Sequence, residues 1–338
     1  MAFWLDIAAF ALKAFLIVAA IGGLVFLISR LTGGEAEDDC EIRVDSLNER
    51  YDRGQARLDA EILSKKERKA LAKARKKAAK SKIAAAPDKR LYVLTFKGDV
   101  RASAVTRLGR EIDSVLTVAR PDKDEVLVRV ESPGGTVTGY GLAASQLSRL
   151  RARAIRLTVC VDQVAASGGY LMACVADKIV AAPFAMLGSI GVVAQVPNVS
   201  RLLKKNDIDF EEMTAGEFKR SVSIFGEITP AGREHFRGKL DATHDAFKAF
   251  VGQNRPRLDI ASVANGDVWL GREALELGLV DELGASDDYL FRARETARIY
   301  EVSSEERKSL LQQIAGRFGF AARAVVRFAA DLFGRGGI

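Results

Sequence analysis

Hydrophobic and polar positions divide this chain into stretches of different texture. Ile7 to Ile28 is almost wholly apolar, interrupted only by Lys13 and closed by Ser29-Arg30. A helix of that length spans about 33 Å, enough to cross the hydrocarbon core of a bilayer, and Lys13 is close enough to one end to snorkel. The pattern predicts an N-terminal transmembrane helix, with residues 1–30 as an uncleaved anchor. A cleaved signal peptide fits less well, because no positive region precedes the stretch and no small-x-small site follows it at the right distance. Residues 31–89 read as a charged connector, helical in part, with too few large apolar side chains to fold alone.

After Pro87 the texture changes. Leu91–Phe96, Glu125–Val130 and Ile155–Val161 are short apolar runs that predict strands, and the stretches Ala104–Val118 and Thr138–Arg151 between them carry helical periodicity. Alternation of this kind predicts parallel βαβ units and an α/β domain over residues 90–300. Further strands are expected at Lys178–Ala182 and Ile190–Ala194, and helices at Pro230–Phe250 and Arg272–Leu277. Residues 301–338 form a C-terminal amphipathic tail: Leu311, Ile314, Phe318, Val325, Phe328 and Leu332 recur near helical spacing with Arg317, Arg323 and Arg327 between them. Such a segment suits a membrane surface, another subunit or the domain's own core.

Charge changes the picture in one place. The 338 residues carry a formal +7, yet Lys65 to Lys82 alone holds ten Lys and Arg against one acid, so everything else together is slightly acidic. No basic face is left for a nucleic-acid-binding domain. The run reads first as a solvated helix and second as a contact for anionic lipid. Cys40, Cys160 and Cys174 are odd in number and widely spaced, and with only His235 and His244 beside them they form neither a disulfide framework nor a metal cluster. Three free thiols, two of them buried, are expected, with no metal and no cofactor.

The chemistry concentrates on small residues. In Asp162-Gln-Val-Ala-Ala-Ser-Gly-Gly-Tyr170, Ser167 stands where a strand gives way to a helix. A serine hydroxyl needs a base. His235 and His244 lie nine apart in a charged helical stretch and read as solvent-facing. Lys219, in Gly216-Glu-Phe-Lys-Arg220, can serve if burial lowers its pKa from about 10.4 by about three units, and Phe218, Val222 and Ile224 are the neighbours expected to bury it, with Arg220 either a second cation or simply facing solvent. Gly168 and Gly169 would let a substrate backbone approach, and a glycine N–H of Ser132-Pro-Gly-Gly135 can face an oxyanion. Each motif alone is more often just a turn.

Taken in order, Ser132-Pro-Gly-Gly135, Ala166-Ser-Gly-Gly-Tyr170, Leu187-Gly-Ser-Ile-Gly-Val192, Gly216-Glu-Phe-Lys-Arg220 and Gly271 to Asp281 resemble the signal peptide peptidase A family, peptidase family S49. The stretch from Phe225 to Glu234 and the N-terminal anchor resemble its SohB branch. The resemblance runs from about Leu91 to Asp288. It implies a ClpP/crotonase-like fold and a membrane-anchored serine endopeptidase. In that family pattern Ser167 is the nucleophile, Lys219 the general base and Ser189 a helper that holds the lysine amine, while the Gly134 and Gly168 amides occupy the oxyanion positions. It also implies a homo-oligomer, with a dyad able to form across a subunit boundary, and peptide substrates. Asp267, where a basic residue is common, and Leu270, where a hydroxyl residue is usual, depart from the pattern without touching the dyad. An acyl-CoA enzyme on the same fold and a non-catalytic membrane scaffold are the other readings. The family places the domain outside the cytoplasm on a bacterial inner membrane, whereas the basic run beyond the anchor favours the cytoplasmic side.

Overall fold

A computed structural model describes residue 13, residues 40–82 and residues 87–306. The expected anchor at Ile7–Ile28 and the tail at 310–332 therefore lie outside the described residues, among which no helix is long and apolar enough to cross a membrane.

The strand runs become a seven-stranded sheet. Its strands are β1 (Cys40–Ser46), β2 (Arg90–Lys97), β3 (Glu125–Glu131), β4 (Arg156–Val161), β6 (Lys178–Ala181), β9 (Glu282–Leu283) and β10 (Arg298–Glu306), in the order β1-β10-β2-β3-β4-β6-β9. Pairing is parallel from β10 through β2, β3, β4 and β6 to β9. The register sets Val93 beside Leu127, and Val128 beside Val159, so apolar residues line both faces of the centre. On one face lie α3 (Val105–Val118) and α4 (Val137–Arg151), which bury Leu108, Ile112, Tyr140, Leu147 and Leu150 against Leu94, Phe96 and Val128. A smaller cluster covers the other face, where Leu47 and Leu290 meet Leu91, Val93, Leu127, Cys160 and Val180.

Leu47 opens α1 (Leu47–Ile62), and Leu290 belongs to α10 (Ser286–Ala293). The connector thus holds β1 and a helix that completes the second face of the domain, and the sheet runs past residue 300 into β10. This segment docks because its amide-bearing side chain reaches the sheet: Asn48 donates to the carbonyls of Arg294 and Ala297 and accepts from the Ile299 N–H. Next comes α2 (Lys65–Lys82), started by Ser64, whose N–H and hydroxyl both donate to Glu67. Lys65, Lys66, Arg68, Lys69 and Lys73 project into solvent, as the charge run predicts.

A three-stranded second sheet carries the chemistry-bearing turns. It comprises β5 (Val164–Ala166), β7 (Met186–Gly188) and β8 (Val268–Leu270). The strand expected at Ile190–Ala194 does not form; the chain extends earlier, at β7, and stops where Gly188 and Ser189 both take positive φ, +92° and +51°. Beyond lie α6 (Ser200–Lys205), an irregular loop, and the long α7 (Pro230–Asn254), which Thr229 caps by accepting from the Gly232 N–H. The short helices α8 (Ile260–Val263) and α9 (Gly271–Glu276) flank β8.

Candidate active site

Ser167 stands between β5 and the short helix α5 (Gly168–Ala173), with φ +51° and ψ −117°. That conformation is uncommon for a residue with a Cβ and costs on the order of 1–3 kcal/mol, so surrounding bonds must hold it. They do: its N–H donates to the Gly188 carbonyl at 2.7 Å, and the preceding Ala166 N–H donates to Ser132 O at 3.0 Å. Ser132 in turn donates its own N–H to Val164 O at 2.8 Å. The Ser132-Pro-Gly-Gly135 turn is therefore clamped against β5, and the Ser167 side chain stays partly exposed.

Gly134, at φ +93°, lies directly against the serine. A Cβ there would come within 2.7 Å of the Ser167 Cβ and 2.8 Å of the Gly168 nitrogen. The amides of Gly134 and Gly168 thus flank one serine, but they differ in availability. As first residue of α5, Gly168 has no preceding helical turn to accept its N–H. The Gly134 N–H already donates to Ser132 Oγ at 3.1 Å. From there a relay runs inward: Ser132 Oγ donates to Tyr140 Oη at 2.5 Å, and Tyr140 donates to the Asp99 carbonyl at 2.8 Å. Tyr140 also explains the glycines after the serine. A Cβ on Gly168 would sit 2.3 Å from the Tyr140 ring, and one on Gly169 would sit 2.6 Å from Ser132 O. The core presses on both, so packing alone demands glycine at these two positions.

Ser189 is joined to this group through its neighbour, since Gly188 is the residue whose carbonyl receives the Ser167 N–H. The Ser189 N–H donates to Asp267 O at 2.6 Å. Asp267 thus meets Ser189 through its backbone.

Lys219 shares no hydrogen bond with this group. It is exposed, in a turn closed by its own N–H to Gly216 O, and its side chain makes no hydrogen bond or ion pair among the described residues. The apolar pocket expected around it is absent within one chain: Phe218 and Ile224 are themselves 41% and 44% exposed. Phe218 stacks on His235 of α7, ring centroids 3.9 Å apart and nearly parallel. Arg220 faces Glu212 at 3.6 Å instead of the lysine. His244 is half-buried and donates from Nε2 to the Ile190 carbonyl at 3.1 Å, so neither histidine is the free solvent-facing residue its charged helix suggests. Nine residues apart, His235 and His244 project from opposite sides of α7, about 180° around its axis. One side of the helix holds the flank of Lys219, and the other the flank of Ser189.

The two cysteines within the described core fit their expected role. Cys160 and Cys174 are buried and free, and burial pushes both thiols up to about 12.

Comparison with known proteins decides the family. Residues 149–300 match the model described as Peptidase family S49, and residues 2–147 match Peptidase family S49 N-terminal. A probable protease SohB of Haemophilus influenzae is 56% identical over 223 residues, which cover 66% of this chain and 63% of that protein. A probable protease SohB of Buchnera aphidicola from Schlechtendalia chinensis is 45% identical over 303 residues, covering 86% of this chain and 99% of the relative. Another, from the Buchnera of Acyrthosiphon pisum, is 53% identical over 225 residues, with 67% of each chain covered.

The chain belongs to peptidase family S49. It is a serine-type peptidase of the α/β class.

Proposed function

We propose that the chain is a membrane-anchored endopeptidase in which Ser167 and Lys219 form a Ser/Lys dyad on a ClpP/crotonase-like fold. The observation that carries this reading is the strained conformation of Ser167, with its side chain partly exposed beside the amides of Gly134 and Gly168. In the reaction, the Ser167 Oγ attacks the scissile carbonyl carbon while Lys219 Nζ takes its proton. Negative charge gathers on the carbonyl oxygen, where the Gly168 N–H is available and the Gly134 N–H must turn from Ser132 Oγ to join it. The lysine then protonates the leaving amine, and water, deprotonated by the same amine, hydrolyses the acyl-enzyme. Ser189 holds the lysine amine.

An ordinary lysine is neutral in only about four molecules per ten thousand at pH 7. Lys219 therefore needs burial, and one chain does not supply it. A second copy can: Phe210, Met213, Phe218, Ile224 and Phe225 leave an exposed apolar surface around the lysine. That surface, and the position of the Lys219 flank on the far side of α7 from Ser189, support a homo-oligomer in which the base reaches the serine of a neighbour. The apolar stretch Ile7–Ile28 supports a single-pass anchor in a bacterial inner membrane, with the catalytic domain outside the cytoplasm and the basic α2 near anionic lipid. Peptide segments, including spent signal peptides, are the substrates this reading favours.

Peptide cleavage by the detergent-purified full chain is expected to vanish in Ser167→Ala and in Lys219→Ala separately. Wild-type rates in either variant would rule out the dyad. Mixing the two inactive variants under subunit exchange should restore part of the activity if the base comes from a neighbour, and none if each chain is self-sufficient.

A further inference from the structure

Ser189 is held by both polar groups of the peptide unit before it and, one residue on, by the Ile190 carbonyl. Before it, the Gly188 carbonyl accepts the Ser167 N–H at 2.7 Å; at it, the Ser189 N–H donates to Asp267 O at 2.6 Å; after it, the Ile190 carbonyl accepts His244 Nε2 at 3.1 Å. The first two bonds are backbone to backbone and follow from the second sheet. The third comes from a side chain, and it meets a need the backbone leaves open. Strand β7 ends at Gly188, so Ile190 has no ladder neighbour, yet Ile190 is completely buried. A buried carbonyl without a donor loses its water and gains nothing in return.

We propose that His244 is a positioning residue for Ser189: its Nε2–H bond to the Ile190 carbonyl pins the chain one residue past the serine, and so limits the turn that aims the serine hydroxyl. The proposal rests on the reading of Ser189 as the lysine's partner. The serine itself sits at φ +51°, a conformation that costs energy for a residue carrying a Cβ and persists only where its surroundings hold it. Freed from the bond, the Ile190 carbonyl can rotate to find another donor, and the backbone between it and Ser189 can relax with it. The bond also assigns the histidine. A carbonyl only accepts, so Nε2 carries hydrogen, and that nitrogen is unavailable as a base for Ser167. The anchorage is rigid on the other side, since α7 runs unbroken from Pro230 to Asn254 and buries Val251 in the main core.

The test is steady-state peptide cleavage by the full chain in detergent, for His244→Ala, His244→Gln, His244→Asn, Ser189→Ala and the double variant Ser189→Ala with His244→Ala. Losing one neutral hydrogen bond predicts a fall in kcat of about five- to tenfold for His244→Ala, with KM little changed. His244→Gln, whose amide N–H can occupy the place of Nε2–H, should recover most of it, and the shorter His244→Asn should not. In the Ser189→Ala background, His244→Ala should cost nothing further. The proposal is overturned if the His244 loss persists undiminished without Ser189, if it appears in KM rather than kcat, or if Gln and Asn behave alike. Should His244→Ala fail to fold, the Gln and Asn pair carries the same decision. If Ser189→Ala leaves kcat intact, the role of Ser189 fails and this proposal with it, while Ser167→Ala and Lys219→Ala still report on the dyad independently.

Discussion

Gly168 shows how one missing side chain serves packing and chemistry together. Its Cα faces the Tyr140 ring so closely that a Cβ would lie 2.3 Å from an aromatic carbon, and Tyr140 is wholly buried between helices and sheet. Gly168→Ala should therefore destabilise the fold by about 1–3 kcal/mol, as overpacking does, besides disturbing Ser167. Urea unfolding separates this from a purely catalytic defect, because Ser167→Ala keeps the Cβ and should leave the midpoint nearly unchanged. The buried thiols give a second expectation at this scale. With both held up to about 12, Cys160 and Cys174 should resist alkylation at pH 8 in the folded protein and react once it unfolds, as peptide mapping would record. Modification of either in the native state at the rate of a free thiol would contradict the packing described.

Among the elements, the strands of the main sheet are entered through loops tied by carboxylates. The Asp281 carboxylate accepts from Arg255 at 2.7 and 2.8 Å and from the Ile179 N–H at 2.7 Å; burial pushes its pKa up, but these bonds outweigh it and hold the carboxyl below its usual range. Asp124 is placed likewise, its burial outweighed by Arg120 and the Arg90 and Arg120 amides. Glu125 follows the same rule, with burial overcome by Lys89, Tyr289 and Thr158. Folded pKa values below the unfolded ones add stability above the unfolded carboxylate range, near pH 4, and that stability is lost as pH falls through the folded values. Thermal stability should be level from about pH 5 to neutrality and drop below about pH 4, and Asp281→Asn should flatten part of the drop. In α4, Leu147 is wholly buried, and Leu147→Ala should cost about 2–5 kcal/mol without altering KM in the fraction that stays folded.

These elements also show what a local pattern can carry. The runs at Leu91–Phe96 and Glu125–Val130 announced strands because Val, Leu and Phe on both faces of a short segment leave a buried strand as the simplest arrangement, and the structure has β2 and β3 there. Residues 42–62 gave no such signal. Their apolar content is low, and Leu47 became a core residue only because the far face of the sheet was open to receive it. Ile190–Ala194 misled for the opposite reason: its composition suits a strand, but positive φ at Gly188 and Ser189 turns the chain away first.

For the whole molecule, the decisive quantity is the surface a single chain leaves unfinished. Lys219 is exposed, as are Phe210, Met213, Phe218, Ile224 and Phe225, so if a neighbour completes the site as proposed, the oligomeric state and activity should fall together on dilution. Met213→Asp, at a residue 84% exposed and hence harmless to the isolated fold, is expected to lower both while leaving the unfolding midpoint intact, measurable by light scattering beside peptide cleavage. An active monomer would refute the shared site.

The residue types needed for acyl transfer, their order, the βαβ rhythm and the charge of Lys65–Lys82 were all legible in the linear chain, because each depends on neighbours within one turn or one strand. Which amides are engaged, which glycines answer to packing, how exposed Lys219 is and what the histidines touch were decided by contacts between distant segments. Gly134 is engaged because Ser132 turns towards it, Gly168 is small because Tyr140 lies behind it, and His244 is occupied because the chain leaves β7 at Ser189 with a buried carbonyl to satisfy. Sequence determines what chemistry is possible, whereas the direction of each N–H, hydroxyl and amine is a property of packing across the fold.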